Sequence, residues 1–300
     1  MARLEDRVCV VTGAGRGIGA AVARLLASEG AKVVVNDLGV NLDGSGGAQG
    51  PAEEVVSDIR RMGGTATANY GSVAEHEAAE RLIHQAIDQY GKLDVVVNVA
   101  GILRDRMIFN MTEAEWDAVV AVHLKGTFNT CKFASQYWHD TRGGDYRLIN
   151  FTSVSGLHGA PGQPNYAAAK MGIVGLTYSC ANALGRYGVT ANCISPGAAT
   201  RMTESVPGDR RRSPAAADDR ERAPENVAPA VAYLASTRSG WITGRILHAS
   251  GYQISLYSNP EPIRTIAGTE PWELDRAFEL IERTFRPVLE PVNRYAPKGS

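Results

Sequence analysis

Short apolar runs alternate with helical patterns along this sequence as far as residue 251, and this alternation constrains the fold more than any other feature. The runs that we interpret as strands lie at residues 8–11, 33–35, 65–70, 93–98, 148–152, 189–195 and 245–249. The helical patterns lie at residues 18–28, 52–62, 73–90, 112–139, 165–187 and 224–235. Apolar strands separated by helices indicate a parallel sheet covered on both faces, and right-handed crossovers then produce a doubly wound α/β fold.

Three segments depart from this alternation. Residues 39–50 contain five glycines and predict a flexible loop. Residues 205–223 are rich in Arg, Asp, Ala and Pro, which fits a disordered segment, a solvated loop or a lid over a pocket. After Gly251 we predict only one more helix, at residues 270–286. We therefore divide the chain into one domain at residues 1–255, with a lid near 203–223, and a C-terminal helical extension at 256–300.

Composition and charge argue against several functional classes. A formal net charge of −1 provides no electrostatic basis for binding nucleic acid or an anionic membrane. The four cysteines are far apart, which predicts reduced buried thiols and no metal site. The N-terminus leads directly into a strand, so we expect no signal peptide, and no apolar run approaches the ~18 residues of a membrane span. We expect a cytoplasmic protein that acts on a small molecule.

A glycine-rich turn at residues 12–19 follows the first strand and opens the first helix. Its glycines, at positions 13, 17 and 19, have the spacing GxxxGxG, which lets the backbone approach a pyrophosphate at the helix N-terminus. Asp37 ends the second strand 18 residues later, where a carboxylate binds adenosine ribose hydroxyls and repels a 2′-phosphate. These features predict a dinucleotide site that prefers NAD, although Arg16 in the turn is a counter-argument because it can serve a phosphate.

Ser153, Tyr166 and Lys170 form a second constellation. Tyr166 and Lys170 are four residues apart, so on a helix they share one face. A nearby ammonium and a positively charged nicotinamide both favour the phenolate, and we expect them to lower the pKa of the tyrosine. Ser153 ends the fifth strand, where open α/β sheets bind ligands, and can hydrogen-bond a substrate oxygen. The pattern predicts proton exchange between Tyr166 and an alcohol during hydride transfer.

Over residues 5–252 the chain resembles the short-chain dehydrogenase/reductase family. The motifs are the turn at 12–19, Asn-Val-Ala-Gly at 98–101, Ser153, Tyr-Ala-Ala-Ala-Lys at 166–170, and Pro196-Gly197 followed by Thr200. The resemblance implies a Rossmann-type domain of about seven strands and a Ser-Tyr-Lys mechanism in which Lys170 also holds the nicotinamide ribose. It implies a homodimer or homotetramer formed through helices 112–139 and 165–187. The implied cofactor-binding residues are Gly13, Arg16, Gly17, Ile18, Gly19, Asp37, Ser72, Val73, Asn98, Ala100, Gly101, Tyr166, Lys170, Pro196, Gly197, Ala199 and Thr200.

Three positions depart from the family pattern. His123 replaces the asparagine that completes the catalytic tetrad, which leaves open whether it is a fourth catalytic residue. Val99 replaces the second asparagine of Asn-Asn-Ala-Gly. Gly71 replaces an aspartate that meets the adenine amine, which leaves backbone groups with Ser72 or Val73 to cover that edge.

Several segments resemble the (3R)-hydroxyacyl-CoA dehydrogenase domain of peroxisomal multifunctional enzyme type 2, also called 17β-hydroxysteroid dehydrogenase type 4. They are the segments at residues 33–39, 101–106, 122–126 and 201–204 and the glycine-rich insertion. The resemblance implies NAD-dependent oxidation of a 3-hydroxyacyl-CoA. The absence of a terminal Ser-Lys-Leu provides no support for peroxisomal targeting.

The substrate remains open at this point. A hydroxysteroid or other bulky alcohol dehydrogenase is one alternative, and a 3-oxoacyl-carrier-protein reductase is another, which Asp37 disfavours. A non-catalytic NAD-binding regulator is a remote one, because Ser153, Tyr166 and Lys170 are all present. Five arginines are candidates for CoA phosphates, although those in the lid can equally form a solvated face balanced by Asp218 and Asp219. These arginines are Arg104, Arg106, Arg210, Arg211 and Arg212.

Overall fold

The protein contains an eight-stranded, mostly parallel sheet with helices on both sides. The computed structural model describes residues 2–41, 43–47, 49–198 and 220–289. The strands are β1 (Val8–Thr12), β2 (Lys32–Asn36), β3 (Thr65–Asn69), β4 (Val95–Asn98), β5 (Tyr146–Phe151), β6 (Val189–Gly197), β7 (Ile246–Ser250) and β8 (Gln253–Tyr257). Their order is β3-β2-β1-β4-β5-β6-β7-β8, in which only the β7–β8 pair is antiparallel. The doubly wound α/β fold that the sequence predicts is therefore confirmed.

Apart from the short helix α6, which was not predicted, and the division of the 112–139 helix, the helices follow the predicted positions to within a few residues. They are α1 (Gly17–Ser28), α2 (Gly50–Arg61), α3 (His76–Tyr90), α4 (Glu113–Val120), α5 (Gly126–Thr141), α6 (Val154–His158), α7 (Pro164–Leu184), α8 (Ala228–Ala235) and α9 (Leu274–Leu289). The described chain divides into two units, with the boundary after Ser258, and α9 belongs to the second. None of the described helices is long and apolar enough to cross a lipid bilayer.

Side chains of the central strands alternate between two apolar layers. On β1, Cys9 and Val11 pack into one layer, while Val8 and Val10 pack into the other. The first layer includes α1, α2 and α8, and the second includes α3 and α5. Since both faces are covered, the strands read as continuous apolar runs, which is the pattern from which they were predicted. All four cysteines are free thiols, three of them buried.

The expectation of one continuous helix over 112–139 is wrong at its centre. Thr112 and Glu115 do form a capping box at the start of α4. A π-helical turn, Ala121–Lys125, then separates α4 from α5 and turns His123 into the interior. Gly126 follows it because a Cβ there would lie 2.7 Å from Val73 Cγ2. π-Helical turns occur frequently at functional sites.

The eighth strand was not predicted. Its sequence, Gln-Ile-Ser-Leu-Tyr, alternates apolar and polar residues, but its apolar side chains Ile254 and Leu256 are 59% and 65% exposed. The strand is defined by antiparallel pairing with β7 rather than by burial. Because β8 is exposed, the pattern of buried apolar runs predicts β7 as the last strand and misses β8.

Candidate active site

A cavity of about 480 Å³ opens at the carboxyl ends of the parallel strands. It lies beside β1 and β4, where the strand order reverses, which is the usual ligand site of open α/β sheets. Ten of the predicted cofactor residues line it, namely Gly13, Arg16, Gly17, Ile18, Gly19, Asp37, Ser72, Val73, Ala100 and Gly101.

The glycine turn fits close against the β4 loop. Gly13 has φ +62°, and a Cβ there would lie 2.7 Å from Ala100 Cα. A Cβ at Gly19 would overlap the carbonyl oxygen of Gly13. The N-cap residue of α1, Arg16, makes no side-chain capping hydrogen bond. The backbone amides of the first turn of α1 therefore remain available to an anion, and this cradle fits the diphosphate of a dinucleotide.

Asp37 is fixed at the end of β2 by two backbone amides. Gly15 N donates to its Oδ2 at 2.8 Å, and Gly39 N donates to its Oδ1 at 2.6 Å. A Cβ at position 15 would lie 2.8 Å from Asp37 Cγ, so glycine permits this approach. Each carboxylate oxygen retains acceptor capacity for a ribose hydroxyl.

An insertion loop, residues 38–41 and 43–47, also reaches the cavity and was missed as a binding element. Leu38, Val40, Asn41 and Gly44 line the cavity. Arg104 Nε donates to the Asp43 carbonyl oxygen at 2.8 Å. The glycine-rich composition indicated only flexibility, whereas the position of the loop depends on this contact with a distant arginine.

Two of the positions that depart from the family pattern lie at the cavity, whereas Asn98 does not. Val99 and Gly71 line the cavity. The side chain of Asn98, which we expected among the cofactor-binding residues, instead points into the core. Its Nδ2 donates to Asn150 Oδ1 at 2.9 Å, and its Oδ1 accepts from Thr130 Oγ1 at 2.7 Å. The structure thus gives this side chain a role in joining β4, β5 and α5, and does not bring it to the cavity.

Ser153 and Tyr166 come together at the end of β5. Ser153 is the N-cap of α6, and its Oγ accepts from Ser155 N at 3.2 Å. Hydrogen bonding by the Ser153 hydroxyl lowers the pKa of Tyr166. Burial acts more strongly in the opposite direction and raises the pKa of Tyr166 to about 12. The predicted lowering of this pKa is therefore not a property of the protein alone.

The charge of Lys170 does not offset the effect of burial on the pKa of Tyr166, and the position of the lysine shows why. The side chain is 4% exposed, and its Nζ lies 5.6 Å from the centre of the Tyr166 ring. Nζ donates to the Phe151 carbonyl oxygen at 2.7 Å. Burial lowers the pKa of Lys170 to about 7, so near neutral pH the amine is only partly charged.

His123 lies against Tyr166, with ring centroids 5.0 Å apart and the ring planes nearly perpendicular. Its Nε2 is 2.8 Å from the Ile102 carbonyl oxygen and 3.1 Å from Ile102 N, so either tautomer finds a partner there. Nδ1 is buried and has no partner among the described residues. Burial, and secondly the charge of Lys170, hold the pKa of His123 well below its usual range, so the ring is neutral at pH 7.

The remaining predicted residues lie at the edge of the site or outside the described part. Pro196 and Gly197 end β6, where Ser250 Oγ donates to the Gly197 carbonyl oxygen at 3.0 Å. Of the candidate CoA arginines, Arg104 contacts the insertion loop and Arg106 Nε donates to Glu115 Oε1 at 3.0 Å. The others lie outside the described residues, as do Ala199, Thr200, Asp218, Asp219 and most of the predicted lid.

We predict that Gly101→Ala displaces His123. A Cβ at position 101 would overlap His123 Cε1 and lie 2.9 Å from both ring nitrogens. Because the ring is enclosed, we expect a loss of about 2 kcal/mol in the free energy of unfolding, measured by chemical denaturation. Gly175→Ala in α7 is the control, since a Cβ there meets nothing within 4 Å and should stabilise slightly. Equal stabilities for the two variants would contradict this packing.

We predict that Lys170 makes the stability of the cofactor-free protein rise with pH between about 7 and 10. The folded amine loses its proton near pH 7, whereas the unfolded one keeps it to about 10.5, so the unfolded chain binds more protons in this window. The contribution reaches at most about 1.4 kcal/mol per pH unit. In Lys170→Met it should vanish, as measured by denaturant unfolding across pH. Parallel curves for the two proteins would refute the lowered pKa.

Comparison with known proteins agrees with this geometry. The family model described as enoyl-(acyl carrier protein) reductase, of the short-chain dehydrogenase type, matches residues 13–252. A crystal structure of a short chain dehydrogenase from Mycobacterium avium is similar over 98% of this chain and 100% of its own, with a TM-score of 0.85 and 42% identity.

Relatives with assigned names extend the agreement. Hydroxyacyl-CoA dehydrogenase ChsB1 of Mycobacterium tuberculosis is 43% identical over 90% of this chain and 87% of its own length. Peroxisomal multifunctional enzyme type 2 of Mus musculus is 43% identical over 77% of this chain but only 30% of its own length. The 3-oxoacyl-[acyl-carrier-protein] reductase FabG of Thermotoga maritima is 36% identical over 83% of this chain and 98% of its own. The chain is thus an oxidoreductase acting on CH–OH groups, and it belongs to the short-chain dehydrogenase/reductase family.

Proposed function

We propose that the protein oxidises a 3-hydroxyacyl-CoA, in the (3R) configuration that the resemblance implies, to the 3-oxoacyl-CoA with NAD. The observation that carries this is the pairing of Ser153 with Tyr166 at the same sheet edge as the cavity that contains Asp37. The names of the relatives support the acyl-CoA substrate, since one that aligns along most of its length is a hydroxyacyl-CoA dehydrogenase.

In the proposed mechanism Tyr166 is the acid–base. During oxidation its phenolate oxygen takes the proton of the substrate hydroxyl, and Ser153 donates a hydrogen bond to the same substrate oxygen. When bound, NAD would supply the acceptor for the hydride of the substrate carbon. Lys170, whose amine donates to the Phe151 carbonyl oxygen, would hold the nicotinamide ribose. His123 is neutral and orients the tyrosine ring by its perpendicular contact.

We propose NAD rather than NADP because of the charge at Asp37. Two amides hold the carboxylate at the cavity, where it can accept hydrogen bonds from both ribose hydroxyls. A 2′-phosphate there would meet a fixed negative charge. Arg16 lines the same cavity and remains available to the diphosphate. The proposed dinucleotide contacts are those of the ten cavity-lining residues, with Tyr166 and Lys170 at the nicotinamide end.

The alternatives differ in substrate. A hydroxysteroid or other bulky alcohol would use the same Ser153 and Tyr166, so only turnover separates it from an acyl-CoA. The FabG relative favours a 3-oxoacyl-carrier-protein substrate, but a reductive role with NADP fits poorly beside Asp37. A purely regulatory role leaves the Ser153–Tyr166 hydrogen bond unexplained.

Assembly and location stay predictions. Phe128 on α5 and Met171 on α7 are 44% and 42% exposed, which supports the expected homodimer or homotetramer through these helices. Sedimentation equilibrium would measure the assembly. Several relatives are named as peroxisomal, so the cytoplasmic expectation rests on the sequence alone.

We predict that Asp37→Ser lowers the ratio of kcat/KM with NAD to kcat/KM with NADP by at least about tenfold, because the charge that excludes a 2′-phosphate is lost. Steady-state kinetics with both dinucleotides measure it. Asp43→Ser is the control, since Asp43 lies on the insertion loop but its side chain does not line the cavity. An unchanged ratio in Asp37→Ser would mean that another group selects the cofactor.

The proposed function is tested by NAD reduction with 3-hydroxyacyl-CoAs of several chain lengths and both configurations, beside free hydroxysteroids and a 3-hydroxyacyl carrier protein. We expect turnover of a (3R)-3-hydroxyacyl-CoA that falls about 10²–10⁴-fold in Tyr166→Phe, because the acid–base is removed. Tyr178→Phe, on the same helix, should retain wild-type rates. Rapid steroid oxidation with no turnover of any CoA thioester would overturn the substrate assignment, and an active Tyr166→Phe would overturn the mechanism.

A further inference from the structure

A chain of hydrogen bonds runs from the loop after β4 to the turn that carries Ser153. Gln163 Nε2 donates to Asp105 Oδ2 at 2.8 Å, and Ser155 Oγ donates to Gln163 Oε1 at 2.9 Å. Ser155 N then donates to Ser153 Oγ at 3.2 Å. Gln163 is only 7% exposed and, as the N-cap residue of α7, makes no side-chain capping bond. Its amide is therefore used to connect Asp105 with Ser155.

Asp105 is held rigidly on both sides. Asn165 Nδ2 donates to the Arg104 carbonyl oxygen at 3.0 Å, and Arg106 N donates to the Gly162 carbonyl oxygen at 2.8 Å. Both contacts tie the loop to the beginning of α7, only a few residues before Tyr166. The other carboxylate oxygen, Oδ1, is buried and has no partner among the described residues. A buried, unpaired carboxylate oxygen is destabilising, and such groups concentrate at functional sites.

We propose that Asp105 and Gln163 are positioning residues, which hold the Ser153–Ser155 turn against Tyr166 and fix the Asp105 carboxylate at the start of the helix that carries it. This inference rests on the proposed function, in which Ser153 and Tyr166 act on the substrate. Neither residue was a candidate from the sequence. Asp105 lies in the 101–106 segment but was given no role there, and Gln163 is 58 positions away.

The charged and titratable groups that face Tyr166 come from its own helix and from two other described elements. Lys170 lies on the same helix, His123 on the π turn is neutral, and Asp105 on the β4 loop is the carboxylate that raises the pKa of the phenol. Ser153 opposes it by hydrogen bonding. Burial raises the pKa of Asp105 itself, and its bond from Gln163 counteracts this. Loss of the Asp105 charge should therefore lower the pKa of Tyr166, whereas loss of the hydrogen bonds through Gln163 should raise it.

Two variants separate these effects in the pH profile of kcat/KM for oxidation of the best CoA thioester of the panel. In Asp105→Asn an amide oxygen can still accept from Gln163 while the charge is gone, so we expect the acid limb to move to lower pH by about 0.3–1 unit. In Gln163→Leu the turn loses its anchor and the Ser153–Tyr166 bond weakens, so we expect the limb to move to higher pH and plateau kcat to fall about tenfold.

A third variant tests the connection itself. Ser155→Ala removes the bond to Gln163 from the other end, and the double variant with Gln163→Leu should lose no more activity than either single variant. Glu115→Gln is the charge control, because this carboxylate on α4 pairs with Arg106 and should leave the profile unchanged. Melting temperatures show whether each variant is folded. If Gln163→Leu does not fold, Asp105→Asn and Ser155→Ala together still test the proposal.

The inference is overturned if the Asp105→Asn profile superimposes on that of the wild type, if both variants shift the limb in the same direction, or if Gln163→Leu and Ser155→Ala are additive. A merely structural role would reduce activity without moving the limb. Failure of the proposed function looks different, since Tyr166→Phe would then retain turnover. An inactive Tyr166→Phe with a wild-type Asp105→Asn profile overturns only the positioning role.

Discussion

The close approach of the chain after β1 to the chain after β4 is the contact on which the rest of the site depends. Thr12 Oγ1 accepts from the amides of Val99 and Ala100 at 3.1 and 3.2 Å, and Gly13 packs directly on Ala100. This contact lies where the strand order reverses, so the two loops diverge and leave the cavity between them. The glycine turn and the β4 loop therefore line the cavity from opposite sides at a fixed separation.

The segment 101–106 follows the β4 loop and connects this contact to the region around Tyr166. Gly101 leaves space for the ring of His123, whose Nε2 meets the Ile102 backbone. Arg104 reaches the insertion loop through Nε, while its carbonyl oxygen is held by Asn165 at the start of α7. One short, irregular segment thus contacts the insertion loop, the π turn and α7. Under the proposed function, a change in its position would disturb dinucleotide binding and proton transfer together.

Much of this arrangement could be predicted, because it depends on local sequence patterns. The strands, the capping box at Thr112 and the glycine turn depend on residues close in sequence. The π turn, β8, the inward direction of Asn98 and the Asp105–Gln163 bond depend on partners tens of residues away, which no local pattern reveals. The pKa of Tyr166 in the protein alone differs from the expected direction for a related reason. Proximity to Lys170 was visible in the spacing, but the burial that partly discharges the lysine was not.

Burial acts on Tyr166 and Lys170 in one direction, because it disfavours the charged form of each. The protein alone therefore holds a neutral phenol beside a partly charged amine. The phenolate becomes favourable only when a further positive charge enters the site, and the oxidised nicotinamide ring carries one whereas the reduced ring does not. With the dinucleotide that we propose, Tyr166 would thus be biased toward the base beside the oxidised ring and toward the acid beside the reduced one. The low polarity that raises its pKa is what makes its protonation state respond to the cofactor.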